Sequence, residues 1–559
     1  MFPSLATLLA IDLRRARNAV KDMSWAVAAV AAVFSVLAGS LVIGAYLLFR
    51  RAFASVLSDP LSGALIARYV LELSFAVIFC LGSMSFVMSS FTFIFRSEEN
   101  RPLAALPVEP LEIFIYRFAG ATLLSAWPVF FIGLPALTAL GVSLRAAADY
   151  YFFSLLLLAL FVLFMSVTGA LLSFVIAWFA RRVSPGWLWL GELAVFAFIL
   201  ASLLHRVMPH ALFTRFIVSS SAEASAAATA ILALFSYLPS HPFVTAISAM
   251  LPFGPAEAGA GGAMFRIAVA VILAAAALMV LAGRYYLAVW QAQGEGGFLA
   301  RPEDAPATGP RLLFPRLFRW KYGYLFEKEW LTLLRNPEDV SRAGFLLLLM
   351  FLYVLAMRGL ASMDAMNGIE MRAWVTAFTF AAIGYFSLTL AMRFIYPSLS
   401  LEGRSAWVIW SSPLHIHELF SWKLFFWSAL TAVPMLLAAS LTIVLFGFPF
   451  WLGLFFVFAI LAACVTLVSI ALGQGSSFPD FHQSDPQMLA TSPAGLAATV
   501  IGLAYLWVML RYVRSFALVF LSGGGLDLKS AFGILIVSWA IIAAYWLAAP
   551  RRMEKLELP

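Results

Sequence analysis

Charge is the scarcest ingredient of this chain. Asp, Glu, Lys and Arg make up 11% of its 559 residues, against about 25% in ordinary soluble domains. Hydrophobic residues reach 63%. So few charges cannot cover a water-soluble surface of this size, and a soluble enzyme is excluded. Cysteine is equally sparse: Cys80 and Cys464 each sit in an apolar run, which excludes a disulfide framework and a cysteine metal site. Frequent breaks are missing as well. Residues 25–49 and 150–180 run apolar past the roughly 20 residues that carry a helix across the hydrocarbon. The short alternating segments of a membrane barrel do not occur, so the spans are helices.

The expected fold is therefore an all-α, polytopic membrane protein of about 12 transmembrane helices. They fall in two six-span halves, at 25–49, 71–95, 113–142, 150–180, 187–205 and 264–290, then 343–361, 374–395, 419–447, 450–473, 494–520 and 530–549. The domain boundaries follow: a first half at 1–290, a Gly/Pro-rich cytoplasmic linker at 291–320 and a second half at 321–559. An even span count puts both termini on one side, and the larger share of Lys and Arg lies there. Positive charge retained inside makes that side cytoplasmic and the location an inner, or plasma, membrane. The net charge of +8 is accounted for by topology, with no nucleic acid among the partners.

A short pattern occurs twice. Pro107, Glu112, Phe114 and Arg117 recur as Pro413, Glu418, Phe420 and Lys423 at a constant offset (413 − 107 = 306). Ser184-Pro185 and Ser492-Pro493 mark a second correspondence, and Arg17-Asn18 and Arg335-Asn336 a third. Tandem membrane halves of this kind commonly build a transport pathway between them. Each copy lies in a charged loop after the second span of its half, where a proline leads into the next helix and a glutamate occupies its first turn. Those carboxylates can cap helices, but duplication at fixed spacing favours a docking surface facing the cytoplasm. Leu317–Arg335 and Leu5–Lys21 have the spacing of basic amphipathic helices at the interface, although a topology signal explains their charges equally well.

Enzyme signatures are weak. His415 and His417, two apart on a helix, face different ways, and Asp480, His482 and Asp485 share a loop with nothing to place them around one point. The nearest approach to a phosphate loop, Gly523–Ser530, has Leu528 where a glycine should precede the lysine, and it reads as a turn. Among charged residues near spans, Glu192, Arg266, Arg393, Arg511 and Arg514 stand out. Snorkelling suits the arginines, while Glu192 is a candidate for a transport path.

The Glu-Glu-x-x-Arg and Glu-x-Arg loops, the Pro-x-x-x-x-Glu step and Phe326–Leu331 with Arg335-Asn336-Pro337 resemble permeases of the type-2 ABC exporter class with two fused six-span halves. That resemblance implies a membrane-spanning permease subunit that is not itself an enzyme. ATPase-coupling loops would contain Glu98, Glu99, Arg101, Pro107 and Glu112, and Glu402, Gly403, Arg404, Pro413 and Glu418. It also implies that the chain holds no cofactor. ATP-Mg would sit on separate ABC-type ATPase subunits, two copies of them, and the substrate would be a small or lipid-like molecule. Two alternatives stay open: a secondary transporter driven by an ion gradient, and a membrane-embedded enzyme or its scaffold.

Overall fold

A computed structural model describes residues 25–57, 63–95, 108–179, 238–251, 260–294, 323–335, 337–361, 369–411, 415–481 and 486–555, with scattered positions between them. Among these residues every regular element is helical. The chain forms two compact units, residues 1–23 with 36–309 and residues 24–35 with 310–559.

Helix α1 (Trp25–Val56) belongs to the first unit from Val36 onward, and it is followed by α2 (Gly63–Ser90), which continues as a π turn over Phe91–Phe95. Next come α3 (Pro110–Ser125), a π turn at Val129–Gly133, α4 (Leu134–Ser143), α5 (Ala148–Phe179), the short α6 (His241–Ser248) and α7 (Ala260–Gly294). Its core is aromatic. Phe161 of α5 lies 5.0 Å from Phe75 of α2 and 4.9 Å from Phe243 of α6, measured between ring centroids. The two glycines Gly82 and Gly169 let α2 and α5 close together: an added Cβ would meet Met165 Sδ at 1.7 Å and Phe86 Cβ at 2.9 Å respectively.

The second unit contains α8 (Gly323–Arg335), α9 (Pro337–Ala361), α10 (Ile369–Leu390), α11 (Ala406–Trp410), α12 (Ile416–Phe446), α13 (Phe450–Ser477), α14 (Pro486–Ala490), α15 (Pro493–Leu521) and α16 (Leu528–Met553). The centre is α13, buried along much of its length, with Cys464 in the core and Thr431 Oγ1 3.2 Å from its Sγ. Both cysteines are free. Ser492 caps α15 by accepting a hydrogen bond from Gly495 N at 3.2 Å, and Pro493 follows at the first helical position. The Ser-Pro marker in this half is thus a helix start; its partner, Ser184-Pro185, lies outside the described residues.

Eight of the described helices are long and apolar enough to cross a membrane, or nine if a bent pair counts as one span. Their outward faces carry large apolar side chains, among them Phe152, Phe265, Ile536 and Trp539, each more than half exposed. In water such surface is an aggregation hazard; against lipid it is matched to its solvent. The described residues do not establish the layout of twelve spans as six and six. The stretch expected at 113–142 as one span is two helices meeting at 41°, broken where Pro128 removes a donor and clashes with the preceding turn. Within α9 the apolar stretch among the described residues is Arg342–Phe351. The expected span at 187–205 falls almost wholly outside the described residues; of the linker expected at 291–320, residues 291–294 are the end of α7 and the rest lies outside them.

Candidate functional site

Both repeated motifs open helices in the same way. Glu109 and His415 occupy the N-cap positions of α3 and α12 with extended backbones. Glu112 and Glu418 come three residues later, their amide nitrogens bonded to Glu109 O and His415 O at 2.9 Å each. A carboxylate there is favoured by the helix dipole. Phe114 and Phe420 are fully buried, and so are Arg117 and Lys423 one turn on. A π turn precedes both loops, at Phe91–Phe95 and at Ala391–Ile395.

In the second unit residues 391–411, between α10 and α12, fold into the bundle. Two short 3₁₀ turns, Tyr396–Ser398 and Ser400–Ser405, follow the π turn. Tyr396, Leu399, Ser400 and Ala406 are buried. Ser400 Oγ accepts from Asp480 N at 3.1 Å, and Tyr396 Oη lies 3.1 Å from Ser492 Oγ. Gly475 of α13 is pressed against the same segment, where an added Cβ would stand 2.0 Å from Tyr396 O. The chain reverses at Gly403, with φ 53° and ψ −134°. An L-residue at such angles costs about 1–3 kcal/mol, so glycine is required by the backbone itself.

That reversal delivers Glu402 to a buried chain of charges. Lys423 of α12 places Nζ 2.6 Å from Glu329 Oε1 of α8 and 3.5 Å from Glu402 Oε1. Lys328 closes the row by pairing with the same oxygen of Glu402. Side-chain exposure is 5% for Lys423 and 10% for each glutamate but 40% for Lys328, so the inner pairs dominate and the outer one is screened. Glu402 is therefore turned inward as an anchor. The exposed large apolar groups on this segment are Leu401 and Trp407. Helix α8 also docks by its apolar face: Phe326 stands edge-on to Phe426 at 4.9 Å, and Leu325 and Trp330 pack on the core. The amphipathic stripe is spent on the protein as much as on any interface.

Of the other sequence candidates, Arg404 has a described backbone but no described side chain, while Glu98, Glu99, Arg101, Pro107, Pro413 and Glu192 lie outside the described residues. Arg511 lies over the Trp507 ring at 4.6 Å and Arg514 over Trp374 at 4.2 Å. His417 packs on Trp546 at 5.9 Å, and among the described residues no His, Cys, Asp or Glu cluster could hold a metal. Gly523–Ser530 is a turn: Gly523 and Gly525 have φ of 83° and 77°, and Asp527 caps α16. Sequence reasoning missed Lys423, Glu329 and Lys328 as a unit, and also Glu72, whose fully buried carboxylate is 2.8 Å from His241 Nδ1. An ionisable residue inside an apolar span was the available signal for Lys423 and Glu72 alike.

One family matches the chain over residues 24–543, described as "Putative ATP-binding cassette". The chain belongs to that family. No curated protein and no solved structure matches it. The match corrects several expectations. A resemblance to exporter permeases, carried by short polar islands in generic apolar sequence, gives way to a cassette family that spans nearly the whole chain. With it go the function of a permease subunit served by separate ATPases, the reading as a non-enzyme and the placing of ATP-Mg on a partner alone. Those expectations came from the resemblance, with the imperfect Gly523–Ser530 loop as support for a chain without its own ATPase, and eight residues cannot outweigh a pattern running through 24–543. Membership in this family accords with assembly, whether with a partner or with a second copy.

Proposed function

We propose that this chain is a membrane-embedded transport protein of the ATP-binding cassette family, in which nucleotide-driven movement reaches the helices through the two repeated loops. Glu98, Glu99, Arg101, Pro107 and Glu112 belong to the first loop, and Glu402, Gly403, Arg404, Pro413 and Glu418 to the second. The observation that carries this reading is the row Glu329–Lys423–Glu402, buried, with the half-exposed Lys328 at its end. It ties the segment at 399–405 to α8 and to the start of α12, so a push on Leu401 or Trp407 is transmitted to a long apolar helix rather than absorbed by a slack loop. Such charges are costly to bury unless their geometry is functional or fully paired.

The test uses the purified full chain in lipid nanodiscs carrying Leu401→Cys. Its ATP hydrolysis is measured, together with the rate at which a polar maleimide labels position 401. Nucleotide should change the labelling rate several-fold. Equal rates with and without ATP, in protein that hydrolyses none, would remove the loop from the mechanism.

A further inference from the structure

The end of the first unit remote from the repeated motifs contains a cavity of about 450 Å³. Small-molecule sites occupy about 300–1,000 Å³. Phe164 of α5, Phe243 of α6 and Ile267 and Val271 of α7 give it apolar walls, while Arg266 and His241 are its charged or ionisable members. Tyr286, twenty residues along α7 from Arg266, donates to Ile94 O at 3.2 Å, close to the first π turn. At 1.5 Å per residue the cavity is about 30 Å along α7 from that bond, one hydrocarbon thickness away.

The polar end is built, not incidental. Glu72 is fully buried in α2, and its Oε1 is 2.8 Å from His241 Nδ1. Its Oε2 is buried with no hydrogen-bond partner among the described residues. Glu72 does not line the cavity, so the imidazole stands between that carboxylate and the space, held by one nitrogen with Nε2 left over. Arg266 offers a planar fork of donors suited to a carboxylate or a phosphate. An apolar slot with a fixed cation and an oriented imidazole at its rim is complementary to an anion on an aliphatic chain. A cationic or neutral amphiphile would leave Arg266 unmatched.

We infer that this cavity is a binding site for a long-chain anionic amphiphile, its headgroup on Arg266 beside His241 and its chain along Phe164, Ile267 and Val271. The site is independent of the coupling loops and stands or falls without them. Radiolabelled palmitate and hexadecanol are titrated onto the full chain in nanodiscs of phosphatidylcholine. Palmitate should bind at least about tenfold more tightly, and Arg266→Gln should abolish that difference. Ala270→Trp, at an exposed lining position, should weaken palmitate binding by a similar factor. Adding phosphatidylglycerol to the nanodisc tells the two sources apart: competition with palmitate identifies a membrane lipid's phosphate as an equal occupant, and no competition identifies the free acid. Both results support an anion site. Equal binding of acid and alcohol, or no effect of Arg266→Gln in protein shown to be folded by size exclusion, would overturn it. If Ala270→Trp does not fold, Ala270→Phe serves the same arm.

Discussion

Lys423 has two glutamates within reach and almost no water, which makes it the residue whose removal should be felt most in the second unit. Taking away one member of a buried ion pair typically costs about 3–5 kcal/mol, because the charge left behind is uncompensated. Lys423→Met should therefore lower the thermal unfolding midpoint of the detergent-solubilised protein sharply. Lys328→Met, at a 40% exposed position, should cost about 1 kcal/mol or less. Adding Glu329→Gln to Lys423→Met should restore part of the loss. A full-sized effect from Lys328, or no recovery in the double variant, would show that the inner pairs do not hold the segment. A different residue governs the other end of α15 and α16. Burial by itself would raise the Asp527 carboxyl, but hydrogen bonds from Ser530, the Ser530 amide and Ser515 outweigh it and hold the group below its usual range. A depressed folded value means that the cap's contribution is complete above the unfolded value of about 3.9 and is lost as pH falls through the lower folded value. Amide exchange at the start of α16 should accelerate over that acid window relative to Asp527→Asn, whose cap does not titrate. Identical pH profiles in the two proteins would refute this.

At the scale of elements, what the sequence discloses depends on whether periodicity or packing sets the outcome. Long apolar runs become α5, α12, α13, α15 and α16 because length and composition alone decide whether a helix can cross lipid. The turn at Gly523–Ser530 is readable for a similar reason, since its glycines take left-handed angles that no other residue adopts easily. Gly403 apart, the π and 3₁₀ turns between Ala391 and Ser405 leave no such signature, because they arise from what packs on them. Gly475 is the clearest case: its missing side chain admits Tyr396 O to a distance at which no Cβ fits. Gly475→Ala must push α13 and the turn apart, at a cost of about 1–3 kcal/mol. The expected readout is a fall in thermal stability with a rise in labelling of Leu401→Cys, as the segment loosens. Gly39 offers a control, since an added methyl there meets nothing within 4 Å. Equal effects at the two positions would deny the close approach any role.

For the whole molecule, the duplicated pattern is the feature that sequence and structure share most fully. Glu112 and Glu418 start α3 and α12 from equivalent positions, yet the loops that precede them were legible only as charged and proline-bearing. The folded course of the second loop, with Glu402 facing inward to Lys423, depends on partners more than 70 positions away in the chain, such as Lys328 and Glu329. No local reading reaches that far. The same gap separates fold from function. A missing phosphate loop at one turn said little about a chain that matches a cassette family from residue 24 to residue 543. If both loops take one signal, as proposed, they must lie in one compartment. Cysteines placed at Asn100 and Leu401 should both be labelled by an impermeant maleimide in inside-out vesicles and both be protected in intact cells. Labelling of the two positions from opposite faces would separate the loops, and a common input to both repeats would then be physically impossible.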